Sequence, residues 1–162
     1  MIHNRIFAKA FTPSYDAMED RIRLVVNYDD YINRIDLWIT RSFLIKLLPV
    51  MDKYISKYDK ADSYLPNENK LTSNVQTNKT EMQKIASKTD SSTFEAAKKE
   101  PLLLKSVDIS YKAASNLFEI IFKTDSIQTR TIVNGTHARI IFKTIFDTVP
   151  KIEWGISPSL FE

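Results

Sequence analysis

The chain of 162 residues contains no cysteine. Disulfides, thiolate metal sites and cysteine nucleophiles are therefore excluded. It has only two glycines, Gly135 and Gly155. Phosphate-binding loops and dinucleotide fingerprints need several glycines so that backbone can approach phosphate, so both are excluded. It has only two histidines, His3 and His137, far apart in sequence and without a partner at metal-ligand spacing. Long apolar runs are absent too. The most apolar stretch, Phe43 to Met51, is broken by Lys46 and Pro49 and is too short to span a bilayer. The N-terminal segment MIHNRIFAKAFTP lacks the apolar core of a signal peptide. A soluble, cytoplasmic protein with no membrane association is the expectation.

Strong charge of one sign is also missing. Net charge is +3, from 23 Lys and Arg against 20 Asp and Glu. Residues 1–56 carry 8 basic and 7 acidic side chains, residues 57–100 carry 8 and 7, and residues 101–162 carry 7 and 6. No segment forms a basic tail, so nothing in the charge demands a nucleic-acid partner.

What is present is a pattern that recurs. In the first part, RIFAKAF (5–11) reads as a strand, PSYDAMED (13–20) as a turn or short connection, RIRLVVNY (21–28) and RIDLWIT (34–40) as a hairpin. A helix follows with Leu44, Leu47, Leu48, Met51 and Ile55 in one apolar stripe, capped by Thr40 or Ser42 and bent by Pro49. In the last part, LLLKSVDISYK (102–112), NLFEIIFKT (116–124) and SIQTRTIV (126–133) read as strands. A second helix runs from about Thr136, with Ala138, Ile141, Phe142, Ile145 and Val149 on one face and Pro150 ending it. Both halves thus read βββα. The last strand runs directly into the helix, which can fold back over the sheet and bury its stripe.

Between the halves, residues 57–100 are dominated by Lys, Ser, Thr, Asn, Asp and Glu. This composition reads as a polar arm, with capping-box signals for short helices at about 80–88 and 93–99. The expected fold is α+β: two βββα halves (1–56 and 101–162) forming antiparallel sheet, two main helices on one face, the arm between them, and one compact domain overall.

No catalytic set, cofactor site or metal site is assigned. Asn134, Gly135 and Thr136, with His137 and Arg139 nearby, offer a helix start where phosphate can bind. The plainer reading is an Asn-Gly turn with Thr136 as N-cap. Asp16, Glu19, Asp20, Asp29 and Asp30 offer carboxylates for a divalent ion. Acidic turn residues are the plainer reading there.

The more informative residue is Trp38. If Ile35, Leu37 and Ile39 face the helix, then Arg34, Asp36, Trp38 and Thr40 face away, beside Arg21, Arg23 and Val25. The corresponding face of the second half carries Leu117, Glu119, Ile121 and Lys123. A face this mixed suits burial under another part of the chain, or a protein interface, since interfaces favour aromatics and arginine. The favoured function is a non-enzymatic interaction or structural subunit that self-associates as a homo-oligomer, or binds another protein, through this face or the arm. The alternative is a single-stranded nucleic-acid binder, with Trp38, Tyr28 or Tyr31 as stacking platforms and Arg21, Arg23 and Arg34 on phosphates. The C-terminal KIEWGISPSLFE offers Trp154, Leu160 and Phe161 either as a strap across the core or as a peptide for a partner's pocket. Its SLF is similar to the end of bacterial sliding-clamp-binding peptides, without the leading glutamine of that pattern.

Overall fold

One short stretch of chain can serve two different sheets, and in this chain that happens twice. The computed structural model describes residues 4–59 and 100–162. The first half contains β1 (Asn4–Phe7), β2 (Phe11–Asp16), β3 (Arg21–Val26), β4 (Ile35–Thr40) and α1 (Arg41–Asp59). The second contains β5 (Leu102–Leu103), β6 (Ser106–Lys112), β7 (Leu117–Lys123), β8 (Ile127–Val133), α2 (Gly135–Thr148) and the single turn α3 (Lys151–Trp154). The α+β class and the two main helices agree with the sequence reading. The short helices expected within 60–99 lie outside the described residues.

Each half carries one strand more than expected, and for the same reason. The strand expected over 5–11 divides, because Ala8 N–H donates to the Arg130 carbonyl while Asn27 N–H donates to the Ala10 carbonyl. Within two residues the chain passes from one sheet to the other. The strand expected over 102–112 divides likewise. Leu104 N–H donates to the Trp38 carbonyl, and Lys105 N–H donates to the Lys123 carbonyl. Two four-stranded sheets result, ordered β2-β3-β4-β5 and β1-β8-β7-β6. Three strands of each sheet come from one half and are antiparallel; the fourth comes from the other half and is parallel. The halves therefore exchange their leading strands reciprocally.

The expected turn over 13–20 also shrinks, because β2 continues to Asp16. Pro13 is tolerated there because β2 is the edge of its sheet, where a missing N–H breaks no ladder. Asp16 then starts a turn by accepting from Met18 N–H (3.0 Å) and Glu19 N–H (3.1 Å).

The core is continuous across both halves. In the first sheet Ile22, Leu24 and Val26 lie opposite Ile39, Leu37 and Ile35. In the second, Phe118, Ile120 and Phe122 lie opposite Val133, Thr131 and Thr129. The α1 stripe Leu44, Leu47, Leu48, Met51 and Ile55 is buried, as are Ala138, Ile141, Phe142 and Ile145 of α2. Each fully buried Leu or Ile contributes roughly 1.5–3 kcal/mol. Thr40 caps α1 by accepting from Phe43 N–H. The helix runs on across Pro49, whose ring is exposed, to Asp59, three residues into the stretch read as the arm. For α2 the N-cap is Asn134, not Thr136: its Oδ1 accepts from His137 N–H at 2.8 Å. None of the helices is long and apolar enough to cross a membrane, among the described residues.

Candidate functional site

The outer face of the first sheet is where sequence placed Arg21, Arg23, Arg34 and Trp38. The register sets Arg23, Trp38 and Leu103 in one row, with Val25 and Asp36 in the next. Leu103 belongs to β5, so part of what lies beside Trp38 is the strand contributed by the second half. Trp38 is half-buried, while Val25, Arg34 and Asp36 are almost fully buried. Asp36 is the centre of this face. Arg23 Nε donates to its Oδ2 at 3.0 Å, and Arg23 Nη2 pairs with the same oxygen. Arg34 donates through Nε to Oδ1 at 2.9 Å and through Nη2 to Oδ2 at 3.2 Å. Two guanidiniums thus share one carboxylate, and the Arg34 guanidinium also stands 5.1 Å from the centre of the Tyr28 ring. Charge-assisted forks of this kind hold geometry as well as charge.

This arrangement turns Arg23 and Arg34 inward toward Asp36. Arg21, opposite Thr40, is half-buried, and Tyr31 is exposed in the β3–β4 turn. Reading the sequence missed Asp36 as the organiser. The available signal was an acid two residues after Arg34 and one pair off Arg23 across the hairpin.

The outer face of the second sheet is partly exposed. Its register aligns Asp108, Ile121, Arg130 and Phe7 in one row, and Ser110, Glu119 and Ile132 in the next. Phe7 is 53% exposed and Ile132 38%. The same face carries charges of both signs. Arg130 Nε donates to Glu119 at 2.7 Å, and Lys123 pairs with Asp108. Arg5, Glu119, Ile121, Gln128 and Arg130 line a depression of about 230 Å³. Phe7 was absent from the sequence candidates, because its strand was read as one element running to Phe11.

The C-terminal candidates are engaged inside the molecule. Trp154 and Phe161 are each 3% exposed, and Leu160 packs against the same core. Phe161 stacks on Phe142 (6.4 Å) and tilts against Phe146 (5.9 Å), and its N–H donates to Asp52 at 3.1 Å. Trp154 Nε1 donates to Asp20 at 3.0 Å. The strap is the arrangement found, and a free recognition peptide would require these side chains to leave the core.

The acidic residues disperse. Asp16 holds its own turn, Asp30 accepts from Asn33 N–H and Nδ2, and Asp20 accepts from Trp154 and from Tyr15 OH at 2.9 Å. The Tyr15 hydroxyl, with Trp154 second, holds the Asp20 carboxyl below its ordinary pKa, and the same bond raises Tyr15. Asn33 lowers Asp30 in the same way. Among the described residues no cluster of three or more acidic or histidine side chains is placed to hold a metal ion.

The helix start at Asn134 is filled from within. A Cβ at Gly135 would lie 2.6 Å from Asp59 Oδ1, so the missing side chain lets this carboxylate reach the first turn of α2. Arg139 holds the other oxygen at 3.0 Å. Burial lowers the pKa of His137 beside it. A carboxylate at a helix N-terminus is the partner its dipole favours.

The chain matches no protein-family model, no curated protein and no solved structure.

Proposed function

We propose that the chain is a non-enzymatic interaction or structural subunit that self-associates through a mixed aromatic and charged sheet face. The outer face of the second sheet is the surface for it. One observation carries this reading: the charges of the first sheet's outer face are gathered on buried Asp36, with Leu103 exposed at its edge, whereas the second exposes Phe7, at 53% the more accessible apolar side chain, and Ile132 on a face that carries charges of both signs. A two-fold interface uses the same patch on both copies, so the patch must be complementary to itself. Interleaved Arg130, Lys123, Glu119 and Asp108 meet that requirement. A nucleic-acid platform needs cations in excess, and on this face Arg130 and Lys123 already have acidic partners.

Light scattering across the micromolar range tests it. The unaltered chain should show a reversible increase in mass, and Phe7→Glu combined with Ile132→Glu should remain monomeric with an unchanged fold. A mass that stays monomeric throughout overturns the reading, as does salt-dependent retention of a single-stranded oligonucleotide that these substitutions abolish.

A further inference from the structure

Folding separates charges that the sequence mixes. Net charge is only +3 over the chain, yet the outward face of α1 carries one sign alone. The stripe Leu44, Leu47, Leu48, Met51 and Ile55 takes the inner side of the helix. Of the residues left exposed, Arg41, Lys46, Lys53 and Lys57 are cations and none is an acid. The acids of α1 are half-buried and turned to partners in the second half: Asp52 accepts from Phe161 N–H, and Asp59 holds Arg139. None of the four cations forms an ion pair among the described residues. Arg41 instead donates to the Glu153 carbonyl at 3.1 Å, and Lys57 Nζ stands 5.2 Å from the centre of the Tyr58 ring. Exposed Ile45, Pro49 and Val50 stand among these cations, with Val50 58% exposed. At spacings of three and four residues, Lys46 neighbours Pro49 and Val50, Val50 neighbours Lys53, and Lys53 neighbours Lys57. From Ile45 to Lys57 the patch extends about 18 Å along the helix. A face that serves only solvation interleaves acids with its bases, as Lys143 and Asp147 do on α2.

We infer that this face of α1 docks on an anionic lipid surface. The helix lies flat, Ile45, Pro49 and Val50 enter the headgroup layer, and Lys46, Lys53 and Lys57 meet lipid phosphates and carboxylates. Charge selects an anionic partner, and composition selects among anionic partners. Protein–protein interfaces are enriched in aromatics and arginine and depleted in lysine, whereas this patch carries three lysines and exposes no aromatic ring. Single-stranded nucleic acid is held by stacking on aromatic rings as well as by cations, and the patch offers no such platform. A lipid surface takes both kinds of group present. Aliphatic tips bury at the boundary of headgroups and acyl chains, while lysine stems lie along them and leave their ammonium groups in the headgroup layer. Lying on a bilayer needs no long apolar run, so the lack of one bears on crossing and not on docking. The contact is peripheral and reversible, and each cation within reach strengthens it about fivefold. It uses α1 and does not rest on self-association through the second sheet.

Vesicle flotation with the full chain tests it. Phosphatidylcholine vesicles that carry phosphatidylserine should float the unaltered chain at low salt, and vesicles of phosphatidylcholine alone should not. Added salt should weaken the binding by screening. Lys46→Ala, Lys53→Ala and Lys57→Ala together should weaken it about 100-fold. Ile45→Ser with Val50→Ser leaves every charge in place and should weaken it about tenfold. All five positions are exposed, so thermal melting should find each variant folded. Absence of flotation with phosphatidylserine overturns the inference on the unaltered chain alone, whatever the variants do. Flotation that survives the lysine substitutions, or that the serine substitutions leave unchanged, overturns it equally. Retention by polyglutamate or by a single-stranded oligonucleotide as tight as that by the vesicles would assign the face to an acidic protein or to nucleic acid, and so overturn the lipid assignment.

Discussion

The two outer sheet faces start from the same strand pattern and end in opposite states. Each presents the residues that alternate away from the core, and each mixes apolar with charged side chains. In the first sheet the charges form one unit: Arg23 and Arg34 turn onto Asp36, and Val25, which pairs with Asp36 across the hairpin, is fully buried. In the second, Arg130–Glu119 and Lys123–Asp108 are separate pairs, with Phe7 and Ile132 exposed to one side of them on β1 and β8. Composition is not what separates the faces. The difference lies in stoichiometry: two guanidiniums share one buried carboxylate on the first face, whereas the second carries one-to-one pairs.

The sharpest way to break this comparison is to remove the central acid from each face. Asp36→Ala should destabilise by about 3–5 kcal/mol, since it leaves two buried guanidiniums without the carboxylate they share. Glu119→Ala, whose partner Arg130 is nearly half exposed and screened by water, should cost no more than about 1 kcal/mol. Urea unfolding of both variants measures the gap, and equal midpoints would erase the distinction. A second pair compares apolar positions. Val25→Ala removes buried methyl groups and should cost about 2 kcal/mol, while Ile132→Ala should stay within about 0.5 kcal/mol.

Helix capping offers a smaller contrast. Asn134→Ala should lower stability by about 1 kcal/mol, and Thr136→Ala should change it by no more than a few tenths. The reverse order would restore Thr136 as the cap. Finally, pH probes the strap that ties α3 to the first sheet. The folded-state pKa of Asp20 lies below its unfolded value, so the unfolded chain binds more protons in that range. The stability from this carboxylate is present above the ordinary carboxylate pKa and is lost as pH falls through the lower, folded value. Trp154→Phe deletes one donor, so Asp20 should titrate closer to its ordinary range by NMR. An unmoved titration would show that the indole has no part in the shift.

Periodicity made much of this fold legible. The five-residue stripe of α1 and the alternation of β3, β4 and β7 are local properties, and each buries the face that its spacing selects. The sheet to which a strand belongs is not local. Ile6 and Phe11 sit in the same expected strand, yet the first pairs with Thr129 and the second with Val26. Nothing in alternation records which partner accepts the hydrogen bond, so both sheet changes were invisible. Trp38 was visible as an anomaly, and the row that flanks it with Arg23 and Leu103 explains its half-buried state. Asp36 was visible only as a polar residue on the far face. Its role depends on two arginines converging in space, and Phe7 became a surface residue only once its strand was known to end there.

The parallel pairing of β1 with β8 also has a consequence in time. Asn4 is paired with Ile127, 123 residues later. During synthesis at roughly 5–20 residues per second, β1 waits several seconds or more for the strand it joins. Throughout that interval Arg5, Ile6 and Phe7 have no sheet to enter. β1, made well before β8, is among the last elements to be placed.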